Sequence, residues 1–110
     1  MIKIDKPWGY EMIWAKTDTY VGKVICIEAG HRLSKQYHKV KEESVYVIEG
    51  VLVNETDEGQ ETYAPGNYLH IKPGQVHRFG TLKDRYVKII EVSTNHLDDV
   101  VRIEDDYNRV

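Results

Sequence analysis

Short apolar runs, cut by glycine, proline and acidic turns, recur along the whole chain. Tyr10–Ala15, Lys23–Glu28, Arg32–His38, Ser44–Glu49 and Val51–Val53 read as strands in the first half. Glu61–Tyr63, Tyr68–Ile71, His77–Thr81 and Tyr86–Val92 continue the series. Lys23–Glu28 is rich in β-branched residues and apolar on both faces, which predicts a central strand. Turns are predicted at Pro7-Trp8-Gly9, Gly30, Gly50, Pro65-Gly66, Pro73-Gly74 and Lys83-Asp84, and the acidic stretch Asn54–Gln60 predicts a solvated hairpin tip. Breaks at intervals of roughly 8–12 residues predict an all-β sandwich or barrel. No long 3.6-residue apolar period competes. Leu97–Ile103 fits either a short helix or a strand, because Leu97, Val100, Val101 and Ile103 satisfy both periods. A polar segment, Glu104–Arg109, follows it.

Composition narrows the class without naming a function. At 110 residues the chain is read as one domain over 1–110, long enough for a core without disulfides. A net charge of −3 gives no electrostatic case for nucleic acid or an anionic membrane. Cys26 is the one cysteine, so no internal disulfide can form, and its place in the run Val24–Ile27 predicts a buried small apolar residue. The amino-terminal residues lack the basic-then-apolar layout of a signal peptide, and no apolar run reaches membrane-spanning length, so a cytoplasmic protein is expected. Trp8, after Pro7, is expected to plug the core, the alternative being a platform for a sugar ring or a dimer contact with Tyr10. Phe79 and Tyr46 are expected in the core.

Chemistry concentrates between Gly30 and Gly50, in GHRLSKQYHKVKEESVYVIEG. Gln36 and His38 alternate along one strand and therefore face the same way, and Glu43 joins them if the chain doubles back. Beyond the variable hairpin, Gly66-x7-Gly74-x2-His77 places a second histidine after paired turns. Four candidate ligands then point inward from two hairpins. Two imidazoles and one carboxylate suit Zn²⁺, Mn²⁺, Fe²⁺, Ni²⁺ or Co²⁺, and the amide oxygen of Gln36 is a weak fourth donor that leaves the ion more Lewis acidic than a third imidazole would. The bland alternative is a polar barrel lining that holds no metal. His31, His70 and His96 lack this spacing and are expected to be satisfied surface or core residues.

These residues resemble the two motifs of the cupin family, G-x5-H-x-H-x3/4-E-x6-G and G-x5-P-x-G-x2-H-x3-N. The glycines, His38, Glu43 and His77 match; Gln36 replaces the first histidine, Lys72 with Pro73 beside it stands at the proline, and Thr81 replaces the closing asparagine. The resemblance implies a cupin-type jelly-roll β-barrel or sandwich, followed here by a short polar carboxy-terminal segment.

A narrower resemblance rests on Pro7-Trp8-Gly9, Arg32-Leu33-Ser34-Lys35-Gln36-Tyr37-His38, Ile90-Glu91-Val92 and Val101–Arg109. These are similar to the carboxy-terminal domain of type II mannose-6-phosphate isomerases. The likeness implies a divalent ion, zinc foremost, held by Gln36, His38, Glu43 and His77, with Arg102 and Arg109 at the substrate end. The family's R-a-E-H-W segment is Lys41-Glu42-Glu43-Ser44-Val45 here, and Asn108 replaces the tail glycine. The implied activity is interconversion of an aldose and a ketose phosphate. Arg102 would bind phosphate and serve catalysis, while Glu91 and Lys41 are the candidate bases; Lys35 and Arg78 are read first as surface or salt-bridge residues. The alternatives are a non-catalytic carbohydrate-binding or sensing domain and an Fe²⁺ oxygenase, from which Gln36 leads away. A homodimer built through the amino-terminal edge strand is expected.

Overall fold

The computed structural model describes residues 1–110 as eleven strands in two facing layers. The larger layer contains β1 (Ile2–Lys6), β2 (Gly9–Lys16), β3 (Tyr20–Ile27), β5 (Glu43–Glu49), β8 (Tyr68–Ile71) and β10 (Val87–Thr94), ordered β1-β2-β3-β10-β5-β8 and antiparallel throughout. The smaller layer is formed by β4 (Lys35–Tyr37), β6 (Leu52–Thr56), β7 (Gly59–Tyr63), β9 (Arg78–Gly80) and β11 (Val101–Glu104), as the ladders β7-β6-β9 and β11-β4. Backbone bridges at Arg32–Gly80 and Gln36–His77 join those two ladders into one surface. The fold is all-β, a single compact domain with jelly-roll sheets.

Period-two alternation decides what each strand turns inward. On β3 the inward set is Val21, Lys23, Ile25 and Ile27; on β10 it is Val87, Ile89, Glu91 and Ser93; on β5 it is Glu43, Val45 and Val47, and all are buried. Ile25, Ile27, Val45, Val47, Val87 and Ile89 of these sets pack with Trp8, Leu52, Leu69, Ile71 and Phe79 into one core. Charged members gather at the other end of the same faces. The interior is thus dry at one end and polar at the other, and the polar end holds the site described below.

Several elements depart from the sequence expectations. Ile2–Lys6 forms a strand, and Pro7-Trp8 is the turn that returns it against β2. The stretch expected to be a solvated tip, Asn54–Gln60, is mostly ladder: Asn54 pairs with Glu61 and Thr56 with Gly59, leaving only Asp57-Glu58 as the turn. Strand propensity alone disfavours Asn and Glu there, but two neighbouring strands supply the pairing. Only Lys35–Tyr37 of the expected Arg32–His38 strand is continuous, because Arg32 bridges Gly80 separately. The ambiguous Leu97–Ile103 stretch resolves into a loop and strand β11. Trp8 is a core plug at 3% exposure.

Tyr46 and Cys26 are corrections of another kind. Both lie on the outward face of the larger sheet, where Tyr46 is half exposed and Cys26 half buried. Register places Met12, Val24, Ile90, Tyr46 and Tyr68 in one row across β2, β3, β10, β5 and β8. That face is apolar without being interior, and composition alone cannot tell the two apart.

Candidate metal centre and its cavity

His38, Glu43 and His77 come together although they lie on separate elements. Each offers one ligand atom, these atoms lie within 4.8 Å of one another, and all three residues are buried. Glu43 opens β5 on its inward face, His77 immediately precedes β9, and His38 immediately follows β4. Glu43 Oε1 is 3.3 Å from His77 Nε2 and 3.8 Å from His38 Nε2.

Backbone carbonyls set the two imidazoles. His38 Nδ1–H donates to the carbonyl of Asp99 at 2.6 Å, and His77 Nδ1–H donates to the carbonyl of Gln75 at 3.0 Å. Because a carbonyl only accepts, each ring carries a hydrogen on Nδ1, and its neutral form turns a bare Nε2 lone pair inward. Both Nε2 atoms are buried and have no hydrogen-bond partner. Leaving such atoms unsatisfied is costly unless something fills the gap. Two orphaned imidazole nitrogens aimed at a carboxylate fit a divalent cation, and carbonyl-held Nδ1–H groups are the usual outer support of metal-binding histidines.

Gln36 enters the same cavity, and register fixes its neighbours. Gln36 and His77 exchange both backbone hydrogen bonds, at 3.0 and 2.9 Å, so their side chains stand side by side on one face. Arg102 of β11 pairs with Gln36 on the opposite flank. Arg102, Gln36 and His77 therefore form a row across three neighbouring segments. Arg102 lines the cavity, and its Nε is buried with no hydrogen-bond partner.

Beneath the cluster lies a chain of buried charges. Lys41 Nζ is 3.3 Å from Glu43 and 3.5 Å from Glu91. Burial pushes the Glu43 carboxyl up, but hydrogen bonds from His38 and His77, when those rings carry a proton at Nε2, and the Lys41 charge more than offset this and hold it well below the usual carboxylate range. Burial and the Glu43 charge push Glu91 up to about 8, with Lys41 opposing. Burial lowers Lys41, yet Glu91 and Glu43 outweigh it and leave its pKa raised. One ammonium thus sits between two carboxyls, Glu43 held low and Glu91 pushed up. Lys23, opposite Glu91 in the β3–β10 register, extends the network to Glu11 at 3.4 Å.

The cavity enclosed by these groups measures about 110 Å³. Trp8 and Phe79 form part of its apolar wall, while Leu97, Val100, Arg102 and Arg109 close it from the carboxy-terminal side. Arg109 lines the cavity while ion-paired to Asp105 at 2.7 Å. Lys35 pairs with Asp57 at the surface, and Arg78 is a buried structural cation bound to Asp106 and to the carbonyl of Leu33. His31 meets the Tyr107 hydroxyl, His70 meets Ser44, and His96 meets Thr94; each is satisfied away from the cluster.

Lys23, Glu11 and Asp99 belong to the site or its support and escaped sequence reasoning. For Lys23 a signal existed: it interrupts the inward series Val21, Ile25, Ile27, and a charge at an inward position marks a polar cavity. Asp99 carries no such mark.

A jelly-roll sandwich with a His/Glu/His cluster in its polar end defines the class of protein. The family model for the cupin domain matches residues 23–93, and the chain belongs to the cupin domain family. Among solved structures it is similar to a cupin-superfamily sugar phosphate isomerase from Silicibacter pomeroyi, with a TM-score of 0.73 and 23% identity over 78% of this chain and 59% of that one. It is also similar to the polyketide cyclase RemF from Streptomyces resistomycificus, with a TM-score of 0.79 and 20% identity over 86% of this chain and 70% of that one. The DMSP lyase DddQ from Ruegeria pomeroyi matches with a TM-score of 0.69 and 18% identity, over 82% of this chain and 46% of that one. The chain spans well under two thirds of the length of the first and third of these. No curated protein matches it in sequence. Three such different activities on one architecture leave the chemistry to the site itself.

Proposed function

We propose that this chain is a metal-dependent isomerase of a phosphorylated sugar, of the kind carried by mannose-6-phosphate isomerases. The observation supporting it is the row Arg102–Gln36–His77, which sets a half-buried guanidinium, its Nε buried without a partner, two segments from a metal-capable histidine. In this reading His38, Glu43 and His77 hold the ion through Nε2 and carboxylate oxygen, and Gln36 adds its amide oxygen. Zinc is the leading candidate, with Mn²⁺, Fe²⁺, Ni²⁺ and Co²⁺ as alternatives that suit the same donors. A bound divalent cation supplies Lewis acidity toward a carbonyl oxygen and its neighbouring hydroxyl.

The chain's own residues supply the rest. Arg102 binds the phosphate through its guanidinium fork, with Arg109 beside it at the cavity edge. Aldose–ketose exchange moves one hydrogen from C2 to C1 and one from O2 to O1, so it balances without an oxidant or a second substrate. Glu91, buried in the same cavity, is the group assigned to carry the proton between carbons. Lys41, between Glu43 and Glu91, keeps two neighbouring carboxyls compatible and is assigned to electrostatic support. Leu97, Val100 and Trp8 keep water from the reacting atoms.

Turnover of mannose 6-phosphate to fructose 6-phosphate, measured in a coupled assay on metal-loaded protein, tests this reading. Activity is expected to fall with Gln36→Ala and to vanish with His77→Ala. Metal-loaded protein that binds the sugar phosphate with saturable heat but never turns it over would replace the isomerase with a carbohydrate-binding domain. Product that appears only with consumption of O₂ would replace it with an oxygenase.

A further inference from the structure

Asp99 lies in the loop between β10 and β11, outside the cluster, yet it makes four hydrogen bonds to one short segment. Its carboxylate accepts the backbone N–H groups of Lys39, Val40 and Lys41 at 3.1, 2.7 and 2.9 Å. Its carbonyl accepts Nδ1–H of His38 at 2.6 Å. The bound segment, residues 38–41, connects β4 to β5. It therefore separates two of the candidate ligands, His38 and Glu43, and determines their spacing.

The same residue anchors the other side of the cavity. Leu97 and Val100 flank Asp99 and line the wall, and Arg102 follows on β11. β11 itself holds to the body through a ladder with β4 alone, whose register shifts between Arg102 and Glu104. Beyond it the tail is pinned to the body by Asp106, which pairs with Arg32 and Arg78, while Asp105 pairs with Arg109 inside the tail. Asp99 is thus the point where the carboxy-terminal wall meets the ligand loop.

We infer that Asp99 is the positioning residue of this site, coupling metal binding at His38 to closure of the Leu97–Arg102 wall. The inference rests on the metal-centre reading above. Its physical basis is reciprocal linkage. Coordination at Nε2 makes the Nδ1–H a stronger donor, which tightens its bond to the Asp99 carbonyl and with it the wall. Whatever orders the wall must in turn favour the coordinated histidine by the same factor. The three N–H bonds to the carboxylate transmit this, because they hold the loop and the wall as one piece. The ligand that completes the cavity would then meet Arg102 in place only when the metal is loaded.

The test uses the full chain with Zn²⁺ alone. Affinity is measured by chelator competition, and order of residues 95–110 by hydrogen exchange with and without the ion. Wild type is expected to bind one ion and to slow exchange across the wall. Asp99→Ala keeps the carbonyl that supports His38 but removes the three bonds to the ligand loop, and is expected to weaken Zn²⁺ binding by about tenfold and to abolish the metal-dependent protection. Asp99→Asn, nearly isosteric but uncharged, guards against a mere folding failure and is expected to fall between the two. Asp106→Ala is the control: it unpins the tail from Arg32 and Arg78, and should speed tail exchange while leaving Zn²⁺ affinity within about twofold. If both Asp99 variants fold and keep wild-type affinity, Asp99 only tethers the tail and the inference is overturned. If wild type takes up no ion, the metal-centre reading falls first and the coupling with it.

Discussion

Arg102 and Gln36 stand opposite each other in the β11–β4 register, and the same Gln36 stands opposite His77 on its other side. A ladder and a backbone bridge thereby convert three residues far apart in the chain into neighbours in one row, of which Gln36 and Arg102 line the cavity. Arg102 is the member of that row whose Nε is buried with no partner.

A half-buried guanidinium with a buried, unpartnered Nε contributes little to stability, so its removal should separate binding from folding. Arg102→Ala is expected to weaken binding of a sugar phosphate by roughly 10–100-fold, the worth of charge-assisted hydrogen bonds. Binding of the unphosphorylated sugar should change little, and the melting temperature should hold or rise. Calorimetry with the two ligands checks the first part, thermal denaturation the second.

Lys41 presents the opposite case, since its one ammonium contacts two buried carboxyls, Glu43 and Glu91. Lys41→Met leaves Glu43 and Glu91 facing each other without a counter-charge. Loss of one partner from a buried ionic group costs roughly 3–5 kcal/mol. Denaturant unfolding of metal-free protein should show a loss of that order, and part of it should return in Lys41→Met/Glu91→Gln, which removes the repulsion.

Acid should release the carboxy-terminal segment before it unfolds the core. Asp105 is held at about 2 by its hydrogen bonds from Arg109, and Asp99 at about 2 by the N–H groups of Lys41, Val40 and Lys39. Both folded values lie below the ordinary 3.8, so both carboxylates stabilise the native state above that value. Their contribution disappears as pH falls from about 4 to about 2. NMR signals of residues 99–109 should broaden or shift across that window, and Asp105→Asn should move the onset upward. A flat response down to pH 2 would contradict the assignment.

Gly50 and Gly66 both have positive φ, at 78° and 91°, but only one has a crowded surrounding. A Cβ on Gly50 would meet the Tyr86 carbonyl oxygen at 2.1 Å, whereas on Gly66 it would meet nothing within 4 Å. Gly66→Ala should therefore cost only the left-handed penalty, about 1–2 kcal/mol. Gly50→Ala should cost clearly more, because β10 must shift to admit the methyl group. Paired unfolding curves decide it.

The outward face of the larger sheet is expected to be covered by a second copy of this chain. Trp14, Tyr20, Tyr46 and Tyr68 are each about half exposed there or more, which amounts to roughly 400 Å² of aromatic surface. Val92 and the surrounding polar residues bring the face toward the roughly 800 Å² that each partner of a stable pair covers. The amino-terminal edge strand expected to mediate the contact, β1, borders this face. Ile90→Lys, in the middle of the apolar row, should give a folded monomer by light scattering where wild type gives a dimer. Wild type that stays monomeric at high concentration would rule the contact out.

Much of the site was readable because the motif spacing is local. Gln36 and His38 lie two residues apart on extended chain, and the glycines mark the turns that bring Glu43 and His77 to them. Charges hidden in strands were harder to read, as Lys23 shows, because a single inward lysine looks like any solvated one until its face is known. Asn54–Gln60 was misread since its acidic composition suits a loop, while its partners on β7 and β9 lie elsewhere in the sequence.

The chain by itself determined most of the strands and turns, the all-β class and the three residues that cluster, His38, Glu43 and His77, since alternation and glycine conformation act over a few residues. Tertiary structure alone decided that Arg102 borders Gln36, that Lys41 lies between Glu43 and Glu91, and that Asp99 grips the loop between two ligands. It also decided that Tyr46 faces outward. These relationships depend on register and layer contact between segments tens of residues apart. No local pattern encodes them, because hydrogen bonds across a sheet and burial between layers exist only once the chain has closed.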